Sequence, residues 1–294
     1  MELRIATCRP LPEPDPDEEL LLAVLAERGV RARMADWRDP RERWEAPVPT
    51  VIRSTWDYHR HAADFLEWLD RAARTAPMWN PPGIARWNAH KSYLLDLDRR
   101  GCAIVPTELV ARGSTRTLAD VLDARGWNDA VLKPAVGAAS HGALRVRRDD
   151  VARGEAHLAE LCTRGDVLVQ GYVPAVETSG ERAIVWVDGE LTHAVRKNPR
   201  FSGQEERVSA AVAIAPDERN LAMRALAPFE AHARERARGA RELLYARVDV
   251  VRDADGVPRI MELELIEPSL FLTQYPPALE RLVQGLVTRL RAPR

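Results

Sequence analysis

The sequence predicts an α/β protein in which a small parallel α/β layer precedes a larger part built from strands, helices and hairpins. Strand-like and helix-like segments alternate up to residue 80, which is typical of a parallel sheet. Further along, a loop of small residues at 135–142 separates two strand-like segments. Two Asp-Gly pairs, at 188–189 and 255–256, each divide a pair of apolar runs and therefore predict two β-hairpins.

The first part of the chain, residues 1–84, is predicted to be the parallel layer. Each of its predicted helices begins near acidic residues and has one apolar face. Gly29 follows the first helix and is expected to end it. The predicted elements are, in order, strand 3–7, helix 18–28, strands 30–37 and 50–54, and helix 61–73. The turn-forming run Asn80-Pro81-Pro82-Gly83 then predicts the first domain boundary.

The second predicted domain covers residues 85–173. Gly101 and Gly126 follow two helix-like segments, and Pro174 limits the last strand. The predicted elements are helix 87–100, strand 103–109, helix 117–125, strands 130–134 and 143–147, helix 151–164 and strand 167–173.

The third predicted domain covers residues 174–294 and contains both hairpins. Gly239 is the expected stop of its long helix. The predicted elements are hairpin strands 183–187 and 190–195, helix 220–238, hairpin strands 243–251 and 259–266, and helix 275–291.

Composition excludes several classes of protein. A chain of 294 residues with 46% hydrophobic residues and a net charge of −1 predicts a globular protein without the basic face of a duplex-DNA binder. Three widely spaced cysteines indicate neither a disulfide framework nor a zinc site. No apolar run reaches the length of a signal peptide or a membrane span, so we expect a cytoplasmic protein with no nucleic-acid or membrane partner. A homodimer is the common default for such a chain.

Lysine is rare in this chain. Of 43 basic residues only Lys91, Lys133 and Lys197 are lysines, so these positions are expected to need a compact ammonium group, as a phosphate site does. Lys133 directly precedes the small-residue loop, whose Gly137, Ser140 and Gly142 would allow backbone N–H groups to approach phosphate. Neither the P-loop pattern nor the dinucleotide-binding pattern is present. The plainer alternative for this loop is an ordinary flexible hairpin.

Acidic residues alternate along the second hairpin. Glu262 and Glu264 share one face of their strand, and the turn at 255–256 places Asp249 nearly opposite them on the partner strand. Three carboxylates on one face suit Mg²⁺, with Mn²⁺ as a second choice, bound to nucleotide phosphates. The alternative is a solvated strand face.

Two further segments are candidate binding sites. Gln170, Tyr172 and Val173 end an apolar strand that could form an adenine slot. A polar and aromatic run follows the strand at 50–54, at the end of a parallel strand, where ligands bind in such layers. Its candidate substrate-contacting residues are Arg53, Ser54, Trp56, Asp57 and Tyr58. A helix cap with a core tryptophan is the structural alternative.

In this order, the lysines, the small-residue loop, the Gln-Gly-Tyr-Val strand end, Glu181 and the three acids resemble the ATP-grasp superfamily on its glutathione-synthetase-like side. The resemblance covers about residues 85–275 and implies a two-part ATP-grasp domain behind a Rossmann-like N-terminal layer. Shorter pieces are similar to the cyclo-ligases that close O-ureido-D-serine to cycloserine. These pieces are the segments 53–58, 80–82, 87–91, 193–195 and 267–270.

The resemblance also implies roles for single residues. Lys91 and Lys133 would contact ATP phosphates, Glu181 would bind the ribose, and the three acids would hold Mg²⁺. Glu264 stands where the family often has Asn. Lys197, Arg207 and Arg247 would lie near the γ-phosphate and the acylphosphate as catalytic cations.

The implied activity is an ATP- and Mg²⁺-dependent, ADP-forming carboxylate–amine ligase of biosynthesis. A small amino-acid-like carboxylate becomes an acylphosphate, which an amine-type nucleophile then attacks, in one variant within the same molecule. Two alternatives stay open at this point. One is a peptide-modifying ligase of the same fold, and the other is a non-catalytic ATP-binding sensor.

Overall fold

The computed structural model describes residues 1–138, 140–198, 207–235 and 243–292, with the side chains of 230–235 left out. Three four-stranded sheets dominate these ranges. Their strands are β1 Glu2–Thr7, β2 Arg31–Asp36, β3 Thr50–Ser54, β4 Met78–Trp79, β5 Thr107–Val110, β6 Asp129–Pro134, β7 Leu144–Arg147, β8 Val167–Gly171, β9 Glu181–Val187, β10 Glu190–Lys197, β11 Tyr245–Arg252 and β12 Pro258–Glu264. The helices are α1 Glu18–Glu27, α2 Ala62–Ala73, α3 Pro82–Asn88, α4 Tyr93–Arg99, α5 Leu118–Arg125, α6 Val151–Arg164, α7 Ala175–Ser179, α8 Pro216–Glu235 and α9 Pro276–Arg291.

The N-terminal sheet is parallel, in the order β2-β1-β3-β4, which confirms the predicted layer. Every residue of β3 is buried, as expected of a parallel strand covered on both faces. The two-residue strand β4 was not predicted, because so short a segment has no detectable alternation.

The middle sheet is antiparallel, in the order β5-β8-β6-β7. The single helix expected at 87–100 is two helices, α3 and α4, and Lys91 lies in the break between them. In this break the Lys91 N–H donates to the Ala135 carbonyl at 2.7 Å, a long-range contact that leaves no local pattern in the sequence. The strand expected at 103–109 begins only at Thr107, since Ile104 pairs instead with Ile260 of β12.

The C-terminal sheet is antiparallel, in the order β10-β9-β11-β12, and contains both predicted hairpins. Helix α8 begins at Pro216, four residues before the expected start, because proline is well tolerated in the first turn of a helix. The expected stop at Gly239 lies outside the described residues.

The core joins the three sheets. One apolar cluster packs Leu21 and Leu25 of α1 against Leu282 and Leu286 of α9. A second cluster packs α4 against the C-terminal sheet, with Leu94 beside residues such as Val248. The domain boundaries at 84 and 173 stay a prediction. None of the helices in the described parts of the chain is both long enough and apolar enough to span a membrane.

Candidate active site

A cavity of about 470 Å³ lies between the middle and the C-terminal sheets, and residues of the N-terminal layer also line it. Fourteen of the residues proposed from the sequence line this one cavity. They are Trp56, Tyr58, Lys91, Lys133, Gly137, Ser140, Gln170, Tyr172, Val173, Glu181, Lys197, Arg247, Glu262 and Glu264. Segments far apart in the chain therefore meet at a single site.

The register of β11 against β12 places the charged side chains together. Asp249 pairs with Glu262, and Arg247 pairs with Glu264. Because directly paired residues of an antiparallel ladder point to the same face, all four side chains share the face toward the cavity. Asp249 itself is only 1% exposed and lies behind the cavity surface.

Each of these three acids contacts a basic side chain. Glu262 pairs with Lys91, and Glu264 pairs with Arg247. Asp249 receives Arg247 Nε at 2.8 Å and Lys197 Nζ at 2.7 Å. Consistent with this pairing, no group of three His, Cys, Asp or Glu residues in the described ranges is arranged to hold a metal ion. The carboxylates are neutralised by the protein's own cations.

Burial and pairing shift the pKa values of the acids in opposite directions. Burial alone would raise the pKa of Asp249, but the charges of Arg247 and Lys197 outweigh it and hold that pKa well below the usual range. The pKa of Glu181 is raised, because burial disfavours its charged form and the contact with Lys197, 3.2 Å away, does not fully offset this effect.

Lys133 differs from the other two lysines. Within the described ranges its ammonium group has neither a hydrogen-bond acceptor nor an ion-pair partner, although it lies in the cavity wall. Burial, together with the nearby charge of Lys91, lowers the pKa of Lys133 to about 7. A dehydrated amine without an acceptor is a site for an anion.

The outer edge of β12 is occupied by side chains that sequence reasoning did not select as functional. The Asn88 amide donates to the Leu263 carbonyl at 2.8 Å and accepts from the Leu265 N–H at 2.7 Å. Next to these two bonds the Tyr93 hydroxyl accepts from the Leu263 N–H at 3.1 Å. Asn88 thus acts as a substitute neighbouring strand and fixes the strand that carries Glu262 and Glu264.

The proposed adenine slot and the small-residue loop border the cavity from the middle sheet. Gln170 is buried and donates to Thr107 Oγ1 at 2.9 Å, which fixes the strand end before Tyr172. In the loop, Gly137 and Ser140 line the cavity, whereas Gly142 does not. Gly142 has φ +73°, and a Cβ atom there would lie 3.0 Å from Pro134, so its role is to shape the loop.

Three of the five residues proposed for substrate binding lie away from the cavity. Arg53 is buried and donates to the Pro268 carbonyl at 2.9 Å. The Ser54 hydroxyl bonds Thr7, and Asp57 accepts the Trp37 indole N–H at 2.7 Å. Arg53 thus satisfies a buried carbonyl, and Ser54 and Asp57 bond side chains of the N-terminal layer, so all three polar groups have internal partners.

Two other findings concern the predicted set. Arg207 is exposed and does not line the cavity, and the segment 199–206 before it lies outside the described residues. In contrast, Glu267 lines the cavity three residues beyond Glu264 but was not selected from the sequence. Burial raises the pKa of Glu267 to about 8, with the charge of Glu264 as the next cause. Glu267 was difficult to select from the sequence, because it lies beyond the residues in which acidic and apolar side chains alternate.

Comparison with known proteins agrees with this architecture. Residues 3–80 match the family model described as D-cycloserine synthetase DcsG, N-terminal domain. Residues 97–261 match the model described as prokaryotic glutathione synthetase, ATP-grasp domain. The chain is 32% identical to the cycloserine biosynthesis protein DcsG of Streptomyces lavendulae, over 94% of this chain and 95% of that protein.

Solved structures give the same result. The crystal structure of D-cycloserine synthetase DcsG matches with a TM-score of 0.89 and 32% identity, covering 99% of this chain and 100% of that one. The ATP-grasp ligase PsnB, complexed with a minimal precursor, shares the fold with a TM-score of 0.66 at 16% identity, covering 98% and 99% of the two chains. The chain therefore belongs to the ATP-grasp carboxylate–amine ligases, in the family of the D-cycloserine synthetase DcsG.

Proposed function

We propose that this enzyme uses MgATP to activate the carboxylate of a small amino acid and closes it onto a nitrogen of the same molecule. The observation that carries the ATP site is Lys133, a half-buried ammonium group that has no hydrogen-bond or ion-pair partner among the described residues and lies in a cavity with two further lysines. The similarity to DcsG over the whole chain supports O-ureido-D-serine as the substrate.

Binding of MgATP is proposed to exchange ionic partners within the cavity. Carboxylate oxygens of Asp249, Glu262 and Glu264 are ligands that Mg²⁺ prefers, and each already accepts a basic side chain. These acids would hold the ion, which would neutralise charge on the phosphates when bound. Lys91, released from Glu262, would then pair with a phosphate oxygen, so that every buried charge keeps a partner.

The remaining nucleotide contacts follow from the cavity walls. Gln170, Tyr172 and Val173 would frame the adenine, and Glu181 would accept a ribose hydroxyl. Backbone N–H groups of the loop at 137–142 would cover the phosphates. Gln170, Tyr172, Val173 and Glu181 line the cavity, as do Gly137, Ala138, Ser140 and His141 of the loop, which supports the assignments.

The chemistry needs positioned cations more than acid–base groups. A carboxylate oxygen attacks the γ-phosphorus and ADP leaves, which gives an acylphosphate. The nitrogen bound to oxygen in the ureido group then attacks the acyl carbon, phosphate leaves, and the nitrogen loses its proton. This attack closes the five-membered ring, and water then hydrolyses the carbamoyl group from the ring nitrogen, so that carbamic acid leaves and decomposes to CO2 and ammonia. Lys197 and Arg247, which line the cavity beside the acids, would stabilise the charge on the transferred group.

Phosphate release from MgATP tests this proposal. We expect release with O-ureido-D-serine and a cyclic product detectable by mass spectrometry. We expect Glu262→Gln to reduce turnover much more than it reduces ATP binding. Stimulation by peptides alone would favour a peptide-modifying ligase. Tight ATP binding with no stimulation by any compound would favour a sensor, and either result would contradict the proposal.

A further inference from the structure

The segment that follows β12 is held by an unusual set of hydrogen bonds. Four successive backbone carbonyls, at residues 266–269, each accept a hydrogen bond from a different side chain. The donors are the Tyr245 hydroxyl to Ile266 at 2.8 Å, the Trp56 indole N–H to Glu267 at 3.0 Å, Arg53 Nη1 to Pro268 at 2.9 Å and Arg247 Nη1 to Ser269 at 3.3 Å. With all four carbonyls engaged, the backbone that carries the Glu267 side chain is fixed relative to both the C-terminal sheet and the N-terminal layer.

This fixed segment presents the Glu267 carboxylate to the cavity. In the described parts of the chain, Glu267 makes no ion pair and no side-chain hydrogen bond with another residue. Four other cavity glutamates each contact a basic side chain. These pairs are Glu177 with Arg145, Glu181 with Lys197, Glu262 with Lys91 and Glu264 with Arg247. Glu267 is therefore positioned by many contacts, and the charges of Lys91 and Arg247 nearby offset the effect of its burial only in part.

The surroundings of Glu267 suit a cationic ligand. The cavity walls hold the carboxylate away from bulk water, so its charged form is unfavourable until a cation comes close. Trp56, whose indole N–H bonds the Glu267 carbonyl, and Tyr58 line the same cavity, and aromatic faces attract an ammonium group. Lys91 and Lys133, in the same cavity, suit anionic groups. A ligand with a carboxylate and an ammonium group would match both sets.

We propose that Glu267 binds the α-ammonium group of the substrate and thereby restricts this enzyme to amino acids among carboxylic acids. The inference rests on the proposed function, because it concerns the substrate whose carboxylate is phosphorylated. It explains why four donors fix a segment that carries none of the proposed metal ligands. Trp56 and Arg53 then serve the substrate indirectly, by holding the backbone of Glu267.

The test compares two substrates and two matched variants. The substrates are O-ureido-D-serine and 3-(ureidooxy)propionic acid, which lacks only the α-amino group, and phosphate release is measured with each. The variants are Glu267→Gln and, as a control, Glu13→Gln, the same change at another acid that lines the cavity. The affinity for MgATP, measured by calorimetry, reports that each variant is folded.

We expect the wild-type enzyme to prefer O-ureido-D-serine by about 10- to 100-fold in kcat/KM, since a charge-assisted hydrogen bond is lost with the analogue. Glu267→Gln should raise the KM for O-ureido-D-serine by a similar factor and remove the preference, with the KM for ATP within about twofold of wild type. Glu267→Asp should restore part of the preference, and Glu13→Gln should retain all of it.

Three results would overturn the inference and leave the proposed function standing. Equal use of both compounds by the wild type would do so, as would an unchanged preference in Glu267→Gln. A loss of preference in Glu13→Gln alone would assign the ammonium site to that residue instead. If the wild type binds MgATP but releases no phosphate with O-ureido-D-serine or with a panel of D- and L-amino acids, the proposed function fails and the inference fails with it.

Discussion

At the scale of single residues, the lysines show which positions need an ammonium group. Lys91 and Lys197 have carboxylate partners, whereas Lys133 lies half-buried with none among the described residues. Their scarcity in the sequence pointed to all three, and all three line the cavity. The sequence did not show that two of them start as partners of the acids, because these ion pairs join side chains from separate segments of the chain.

Removal of the Lys133 charge should weaken nucleotide binding. We expect Lys133→Ala to lower MgATP affinity by about 10- to 100-fold, the range of a charge-assisted hydrogen bond, as measured by calorimetry. Lys133→Arg should also bind weakly, since a planar guanidinium does not fit a site shaped for an ammonium. Arg147→Ala removes an exposed cation of the neighbouring strand β7 and serves as the control. Wild-type affinity in Lys133→Ala would contradict the assignment.

The lowered pKa of Lys133 predicts proton uptake on binding. With a pKa of about 7, most of the Lys133 side chains are neutral at pH 8, and phosphate oxygens nearby should raise the pKa. Binding of MgATP at pH 8 should therefore take up a proton at this residue. Calorimetry in buffers of different ionisation enthalpy measures the number of protons taken up on binding. The wild type should take up about 0.9 proton more than Lys133→Met. Equal uptake would show that Lys133 does not face the phosphates.

At the scale of elements, strand β12 depends on side chains from an earlier part of the chain. Asn88 terminates α3 and bonds both Leu263 and Leu265, so it couples the position of Lys91 to the position of Glu262. The hairpin and its register could be predicted from the Asp-Gly turn and the alternation of residues. The hydrogen bonds from Asn88 to the edge of β12 could not be predicted in this way. An asparagine at a helix end has the same local pattern whether it caps that helix or bonds a distant strand.

Substitution of Asn88 should destabilise the protein more than the small volume of its side chain suggests. Asn88→Ala leaves a buried carbonyl and a buried N–H without partners, which should cost about 2–4 kcal/mol. Asn220→Ala is the matched control, because Asn220 is exposed on α8 and alanine favours helix. The midpoint of urea unfolding measures both variants. A shift of equal size in the two would contradict the role of Asn88.

Helix α6 is expected to be equally intolerant at Gly154. A Cβ atom there would lie 2.4 Å from Leu118 Cδ2 and 2.7 Å from Val146 Cγ1, so Gly154→Ala should destabilise the protein by about 1–3 kcal/mol. Gly83→Ala is the matched control in α3, where no atom lies within 4 Å of the new methyl group. That change should be neutral or stabilising by up to about 1 kcal/mol. The measurement is the midpoint temperature of thermal unfolding, and an equal decrease in both variants would contradict this packing.

At the scale of the whole molecule, the site exists only where the three sheets meet. The Tyr245 hydroxyl lies within hydrogen-bond distance of the carbonyls of both Ile52 and Ile266 and shares its one proton between them, which ties the N-terminal layer to the C-terminal sheet. The rings of His59 and His141 lie 5.4 Å apart and bring that layer to the small-residue loop. The order of the three parts could be predicted from the sequence, but the position of Arg53 could not, since its partner lies 215 residues away.

The central claim is that acids of β11 and β12 and lysines of earlier segments enclose one metal-bound triphosphate. A crystal structure with Mn²⁺ and a non-hydrolysable ATP analogue tests it directly, because anomalous scattering locates the metal. We predict manganese at oxygens of Glu262 and its neighbouring acids, and Lys91 and Lys133 against the phosphates. A triphosphate bound elsewhere, or manganese away from these carboxylates, would contradict the account.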